Sequence, residues 1–295
     1  MHSENFDESQ TIDLGNRNLQ ELDVLDLCRC IRSDKNRGKL VVLNLGQNNI
    51  GDRIAQELAD AIACQPVLRK LQLYRNRISD AGLQFFCISI SKLSLLQEVA
   101  FDHNYIQNDG ASALALSILQ LSSLQSLHLA SNRITQAGAE ALGDSLQFLT
   151  SLQRFYIGDN RIGNRGALAI ARGIRRLPAF RTLGISRTML NVDGATMVSA
   201  EVRGMPSLKE FGFLNNHIGD DGARAAAEVI RHTPSLERLY FRNCEMGDDG
   251  ALAIAVASST ISALVQLDLS QNKGISDECR VDIVGRLAHL TSLTI

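Results

Sequence analysis

No apolar run in the 295-residue chain is long enough to cross a bilayer; the longest purely apolar stretches are of the size of ALAIAVA, Ala251 to Ala257. The start, MHSENFDESQ, lacks the apolar core of a secretory leader. Neither sign of charge is in excess: the formal charge of -2 and pI near 6.3 give no global pull toward nucleic acid or an anionic membrane. A soluble, cytoplasmic protein with no nucleic-acid and no membrane partner is expected, and a monomer is favoured. The six cysteines, Cys28, Cys30, Cys64, Cys87, Cys244 and Cys279, are scattered without the spacing of a disulfide framework. Cys28 and Cys30 form a CxC, but no second pair at zinc spacing accompanies them, so they read as structural thiols. Catalytic signatures are missing too: there is no H-E-x-x-H, no G-x-S-x-G, no dinucleotide fingerprint and no G-x-x-x-x-G-K-[ST] loop. The expectation is therefore a protein that is not an enzyme, with no catalytic residue, cofactor or metal.

What the chain does have is an internal repeat. Leu124 to Ile134, LQSLHLASNRI, is matched one unit earlier by LQEVAFDHNYI ending at Ile106 and one unit later by LQRFYIGDNRI ending at Ile162. The asparagine position recurs at a constant spacing through Asn48, Asn76, Asn104, Asn132, Asn160, Thr188, Asn216, Cys244 and Asn272. A period in the twenties with leucines at these offsets is the signature of a leucine-rich repeat.

Each unit divides into three parts. In the strand segment Leu43 and Leu45 point inward and Asn44 outward, because successive side chains alternate faces. The asparagine that follows has the donor and acceptor capacity to satisfy turn backbone in its own unit and in its neighbour, and Thr188 and Cys244 hold that slot without an amide. A helix then opens with a phrase such as Ile218-Gly219-Asp220-Asp221-Gly222-Ala223, whose aspartate suits a helix start. Glycine at one phase, Gly82 through Gly250, implies close packing between neighbouring helices. Ala139, Leu142, Gly143 and Leu146 form one helical face. All four prolines, Pro66, Pro178, Pro206 and Pro234, mark the exit from helix to strand.

The expected architecture is an α/β solenoid with a concave parallel sheet and convex helices. Residues 1–10 read as a polar tail and 11–295 as one domain. Within it, 11–39 is an atypical first unit with a helix over Glu21 to Arg32, 40–292 holds nine regular repeats, and 293–295 begins a further strand.

The constant 28-residue unit and the phrase N-x-I-x-x-x-G-A resemble the ribonuclease-inhibitor-like class of leucine-rich repeats, over nearly the whole chain. That class includes ribonuclease inhibitor, the sensor arrays of NOD-like receptors and the Ran GTPase-activating protein, so the resemblance implies a curved binding surface rather than one reaction. Ran GTPase-activating proteins usually have less regular units and a strongly acidic tail, which this chain lacks, and NOD-like receptors carry a nucleotide-binding domain before their repeats. The leading expectation is a protein-interaction module. The alternatives are a GTPase activator and the ligand-sensing portion of a receptor. GNRG at Gly163 to Gly166 and GDDG at Gly219 to Gly222 look like phosphate loops but recur at the repeat phase, and the acid in GDDG repels phosphate.

The partner-binding residues are expected on the outward strand positions. Three of the four tyrosines, Tyr74, Tyr156 and Tyr240, fall there, and tyrosine and arginine dominate binding hot spots. An N-terminal cluster holds Arg69, Lys70, Tyr74 and Arg75, continuing through Asp102, His103 and His128, with His103 and His128 placed to approach each other across adjacent strands. Arg154 and Tyr156 follow, Arg154 and Asp159 being a pair that could simply compensate one another. Next come Arg187 and a bare patch at Gly184, Ser186 and Gly212 that could admit a loop of a partner. Arg238, Tyr240 and Arg242 form the C-terminal cluster. Basic groups outnumber acidic ones on this face, so the protein partner is expected to carry an acidic element.

Overall fold

The computed structural model describes residues 10–295, so the expected polar tail lies outside them except for Gln10, whose carbonyl accepts the Val41 N–H at 2.8 Å. Eleven short strands pair in sequential order into one parallel sheet. They are β1 (Thr11–Asp13), β2 (Val42–Asn44), β3 (Lys70–Gln72), β4 (Glu98–Ala100), β5 (Ser126–His128), β6 (Arg154–Tyr156), β7 (Thr182–Gly184), β8 (Glu210–Gly212), β9 (Arg238–Tyr240), β10 (Gln266–Asp268) and β11 (Ser292–Thr294). A helix follows each of the first ten strands: α1 (Glu21–Arg32), α2 (Asp52–Ile62), α3 (Asp80–Ile90), α4 (Asn108–Ile118), α5 (Gln136–Leu146), α6 (Gly163–Ile174), α7 (Val192–Val202), α8 (Gly219–Arg231), α9 (Asp248–Ser258) and α10 (Asp277–Arg286). This is the expected solenoid, and the first helix has the bounds read from its sequence.

One core runs the length of the stack. The inward strand residues, from Leu43 and Leu45 to Leu267 and Leu269, are all at most 7% exposed and pack on one apolar face of every helix. Neighbouring strands stay in register, as in Leu71↔Val99 and Leu127↔Phe155, because a one-residue slip would turn every buried side chain outward. At β7–β8 the ladder is reduced to one residue pair, Thr182↔Glu210.

Two polar ladders stitch the units together. In the first, Asn104 Nδ2 donates to Phe101 O in its own turn and to Leu73 O in the preceding unit, both at 3.0 Å, while its Oδ1 accepts the Ile78 N–H at 3.0 Å. An amide does all three because it combines two donors with an acceptor on a short stem. The residue just before each ladder position is left-handed, with φ of 52° at Arg75 and Arg187 and 53° at His103. In the second ladder, an acid or amide in the first turn of one helix caps the next helix rather than its own. Asp52 Oδ1 accepts the N–H groups of Ser79 at 2.8 Å and Gly82 at 3.0 Å, and Asp220 Oδ1 those of Gly247 at 2.7 Å and Gly250 at 3.0 Å. The phased glycine makes room for that carboxylate: a Cβ on Gly82 would lie 2.2 Å from Asp52 Oδ1.

Both ladders change together at α6 and α8. Thr188 and Cys244 lack the amide, and Gln136 and Val192 stand where a capping acid would. Thr188 Oγ1 donates to Ile185 O at 2.8 Å, and the preceding unit instead sends the Gly163 N–H to the Thr188 carbonyl at 3.0 Å; Gly219 does the same to Cys244 at 3.1 Å. That junction turns Gly163 and Gly219 left-handed, φ 62° and 56°, and with them Met189 and Glu245, φ 65° and 59°. The two glycine turns that imitate phosphate loops are therefore the places where the stack changes its junction.

Candidate binding surface

The outward positions of β3 to β9 form one polar face over the buried leucines. Along its first row, each strand offers one side chain to its equivalent in the next unit, and opposite charges meet across strands. Lys70 Nζ lies 3.5 Å from Glu98, which also accepts from Gln72 Nε2 at 2.7 Å; Arg238 Nη1 lies 2.6 Å from Glu210. Sequence reading overlooked Glu210, although its equivalence to Arg238 in the next unit is the signal that places it. Arg69, Arg75, Arg187 and Arg242 are exposed and have no carboxylate within ion-pair distance among the described residues.

The centre of the face is a connected network. His128 Nε2 is 2.7 Å from Ser126 Oγ, its Nδ1 is 3.8 Å from Asp102 Oδ2, and its ring stacks on Tyr156 at 4.7 Å. Asp102 Oδ1 accepts the Ala130 N–H at 2.8 Å, and Arg154 Nε donates to Ser126 Oγ at 3.3 Å. Asp, His and Ser stand in the order of a hydrolytic triad. Ser126 is nevertheless 0% exposed and bonded to both His128 and Arg154, which makes it an anchor and not an attacking group. His128 is thus held by Asp102, Ser126 and Tyr156 and not by His103, which sits on the exposed left-handed turn. Arg154 turns to Ser126, and Asp159 accepts from Ser131 Oγ at 2.9 Å, so these two do not compensate one another. Among the described residues no three His, Cys, Asp or Glu side chains converge as a metal would require.

Burial sets the protonation of this network. It lowers the His128 imidazole below its ordinary value, against the pull of Asp102 in the other direction, and it raises the Asp102 carboxyl. Desolvation outweighs mutual attraction in both because their separation is longer than a hydrogen bond. An NMR titration should accordingly find His128 protonating below pH 6.5. Asp102→Asn should move that midpoint lower still, since the carboxylate is the largest influence raising it. A wild-type midpoint at or above the ordinary value would contradict the burial argument.

Tyr156 and Tyr74 are held flat across neighbouring strands. A Cβ on Gly184 would fall 2.5 Å from Tyr156 Cδ1, and one on Gly46 would fall 2.3 Å from Tyr74 Cε1. The patch at Gly184, Ser186 and Gly212 is consequently less bare than its sequence suggests. Tyr156 covers Gly184, and at Gly212 the backbone approaches so closely that a Cβ would meet the Tyr240 carbonyl at 2.0 Å. Burial also raises the phenols of Tyr156 and Tyr240, with the Glu210 carboxylate adding to both.

No helix among the described residues is long and apolar enough to cross a membrane. A family model described as Leucine Rich repeat matches residues 39–59, 65–87, 120–143, 148–171 and 232–255. No curated protein matches the chain. With the constant repeat unit, the asparagine ladder and the sequential parallel sheet already in view, the chain belongs to the leucine-rich repeat family, in its ribonuclease-inhibitor-like form.

Proposed function

We propose that the chain is a non-enzymatic interaction module that binds an acidic element of a protein partner on the outward face of its sheet. Tyr74, Tyr156 and Tyr240 are the anchors, and Arg69, Arg75, Arg187 and Arg242 supply unpaired positive charge. The observation that carries this reading is the seating of the tyrosines. Tyr156 is fixed between the His128 ring and Gly184, and Tyr74 against Gly46, so little side-chain freedom is lost when a partner covers them. Lys70 and Arg238, already matched by Glu98 and Glu210, set orientation more than affinity. Arg154, Asp102, His103 and His128 belong to the same face, as the network and its edge.

Affinity capture with crosslinking mapped onto the strand positions identifies the partner, and a double variant then tests the face. Tyr74→Ala with Tyr240→Ala should weaken that partner by roughly tenfold to a hundredfold, the range of hot-spot truncation, while the melting temperature changes little. Unchanged affinity in the folded double variant would remove the sheet face as the binding surface.

A further inference from the structure

A second surface lies beside the sheet, one residue beyond the asparagine ladder, and shares Arg187 with the sheet face. At this phase the backbones of successive units are hydrogen-bonded into a column: Arg77 N to Ile50 O, Tyr105 N to Ile78 O and Arg133 N to Ile106 O, each at 2.8 Å, then Arg161 N to Ile134 O at 3.0 Å. Side chains in the column therefore stand about 5 Å apart, the spacing of neighbouring strands. From Arg77 to Arg161 the column reads Arg, Tyr, Arg, Arg, with no acid, and Met189 holds the same repeat position in the next unit, where the junction changes. Its far end is closed by His217, which is 2.6 Å from Glu245.

The middle of this rim is a groove lined by Arg133, Thr135, Asp159, Arg161, Arg187 and Met189, among others. Its three guanidinium groups face one carboxylate, that of Asp159, and this carboxylate is bonded to the Ser131 hydroxyl. None of the three arginines has a carboxylate within ion-pair distance among the described residues, in contrast to Arg172, Arg175, Arg224 and Arg231 on the helices, each of which does. Arg133 is set in place over the Tyr105 ring at 4.5 Å from its centroid. Met189 stands 65% exposed on a left-handed residue, put there by the altered junction at Thr188. It is the one apolar side chain among the residues lining this groove.

We propose that this rim is a docking groove for an extended acidic peptide segment. Its Asp or Glu side chains, at alternate positions on one face of the peptide, meet Arg133, Arg161 and Arg187, and an apolar side chain further along that same face packs on Met189. Guanidinium forks suit carboxylates, and alternate residues of an extended peptide recur at about 6.5–7 Å, within reach of the long stems of Arg133 and Arg161, which stand about 5 Å apart, and of Arg187, which lines the same groove from the ladder turn. A peptide fits better than a nucleic acid because the groove lining includes the Asp159 carboxylate and the apolar side chain of Met189 and sits on a chain of net charge -2.

The test is fluorescence anisotropy with a labelled eight-residue peptide carrying glutamate at its first, third and fifth positions, leucine at its seventh and serine between them, its glutamine counterpart, and a single-stranded oligonucleotide of eight nucleotides. The glutamate peptide should bind, the glutamine peptide should bind at least tenfold more weakly, and raising the salt from low to physiological strength should weaken binding several-fold. Arg133→Glu with Arg161→Glu should abolish binding, and Met189→Ser should reduce it about threefold to tenfold. The arginines are exposed, so an unchanged melting temperature checks the fold, and the single Arg161→Gln gives a milder version of the same loss. Tyr74→Ala with Tyr240→Ala should leave peptide binding intact, which separates this groove from the sheet face. No binding of the glutamate peptide, equal binding of the glutamine peptide, indifference to the arginine variants, or tighter binding of the oligonucleotide would each overturn the proposal.

Discussion

Asn160→Ala destabilises the stack by about 3–4 kcal/mol, because one truncation strands buried groups in two units at once. Asn160 is 2% exposed; its Nδ2 donates to Leu129 O and Ile157 O, and its Oδ1 accepts the Ile134 N–H, all at 2.9 Å. Alanine leaves those groups dry and without partners. Hydrogen exchange should speed first at Ile134, and chemical denaturation should show the loss. Asn160→Thr is a sharper form of the same test. Threonine works at position 188 because Gly163, in the preceding unit, turns left-handed to reach its carbonyl. The corresponding residue for position 160 is Thr135, β-branched and extended at φ -112°. Asn160→Thr should therefore be nearly as damaging as alanine, and adding Thr135→Gly should recover part of the loss. No recovery would show that the glycine is not what lets threonine replace asparagine.

Gly173→Ala is the second large effect. A Cβ there would lie 2.3 Å from Gly143 O and 3.1 Å from Leu146 Cβ, between α5 and α6, where no flexible side-chain end can yield. Separating two packed helices should cost about 1–3 kcal/mol or more. Gly285→Ala, also helical but with nothing within 4 Å of the added Cβ, should instead stabilise the chain by about 0.4–1 kcal/mol, through the entropy of the unfolded state. Denaturant midpoints of the two variants should move in opposite directions; movement in the same direction would refute the close approach of α5 and α6 as the reason for glycine at position 173.

Much of the fold was legible because a stacked repeat writes the same constraint many times. The inward leucines, the asparagine slot and the helical apolar face each recur at one phase, and a period read from Leu124 to Ile134 extends to the whole sheet. The candidate face was legible only as a set of positions. Alternation shows that Tyr156, His128 and Arg154 point outward; it does not show that His128 chooses Ser126 and Asp102 over His103, or that Arg154 leaves Asp159 for Ser126. Those choices depend on distances across strands and on burial, which the period does not encode. Glu210 was missed because it is ordinary in its own unit and matters only beside Arg238 in the next.

Residue order alone specifies the architecture, the register and which side chains are scaffold, since a buried leucine or ladder asparagine is demanded by stacking wherever it occurs. What the glycines and the capping acids are for emerges only once the units are stacked. Asp52 serves Gly82 and Ser79 of the next unit, and Gly163 serves Thr188 of the next, so each residue answers a neighbour in the adjoining repeat. Stacking likewise brings Met189 and three unpaired arginines into one groove. Local preference acts within a unit and can be read along the chain, whereas capping, steric room and charge pairing act between units and need the distances across the stack.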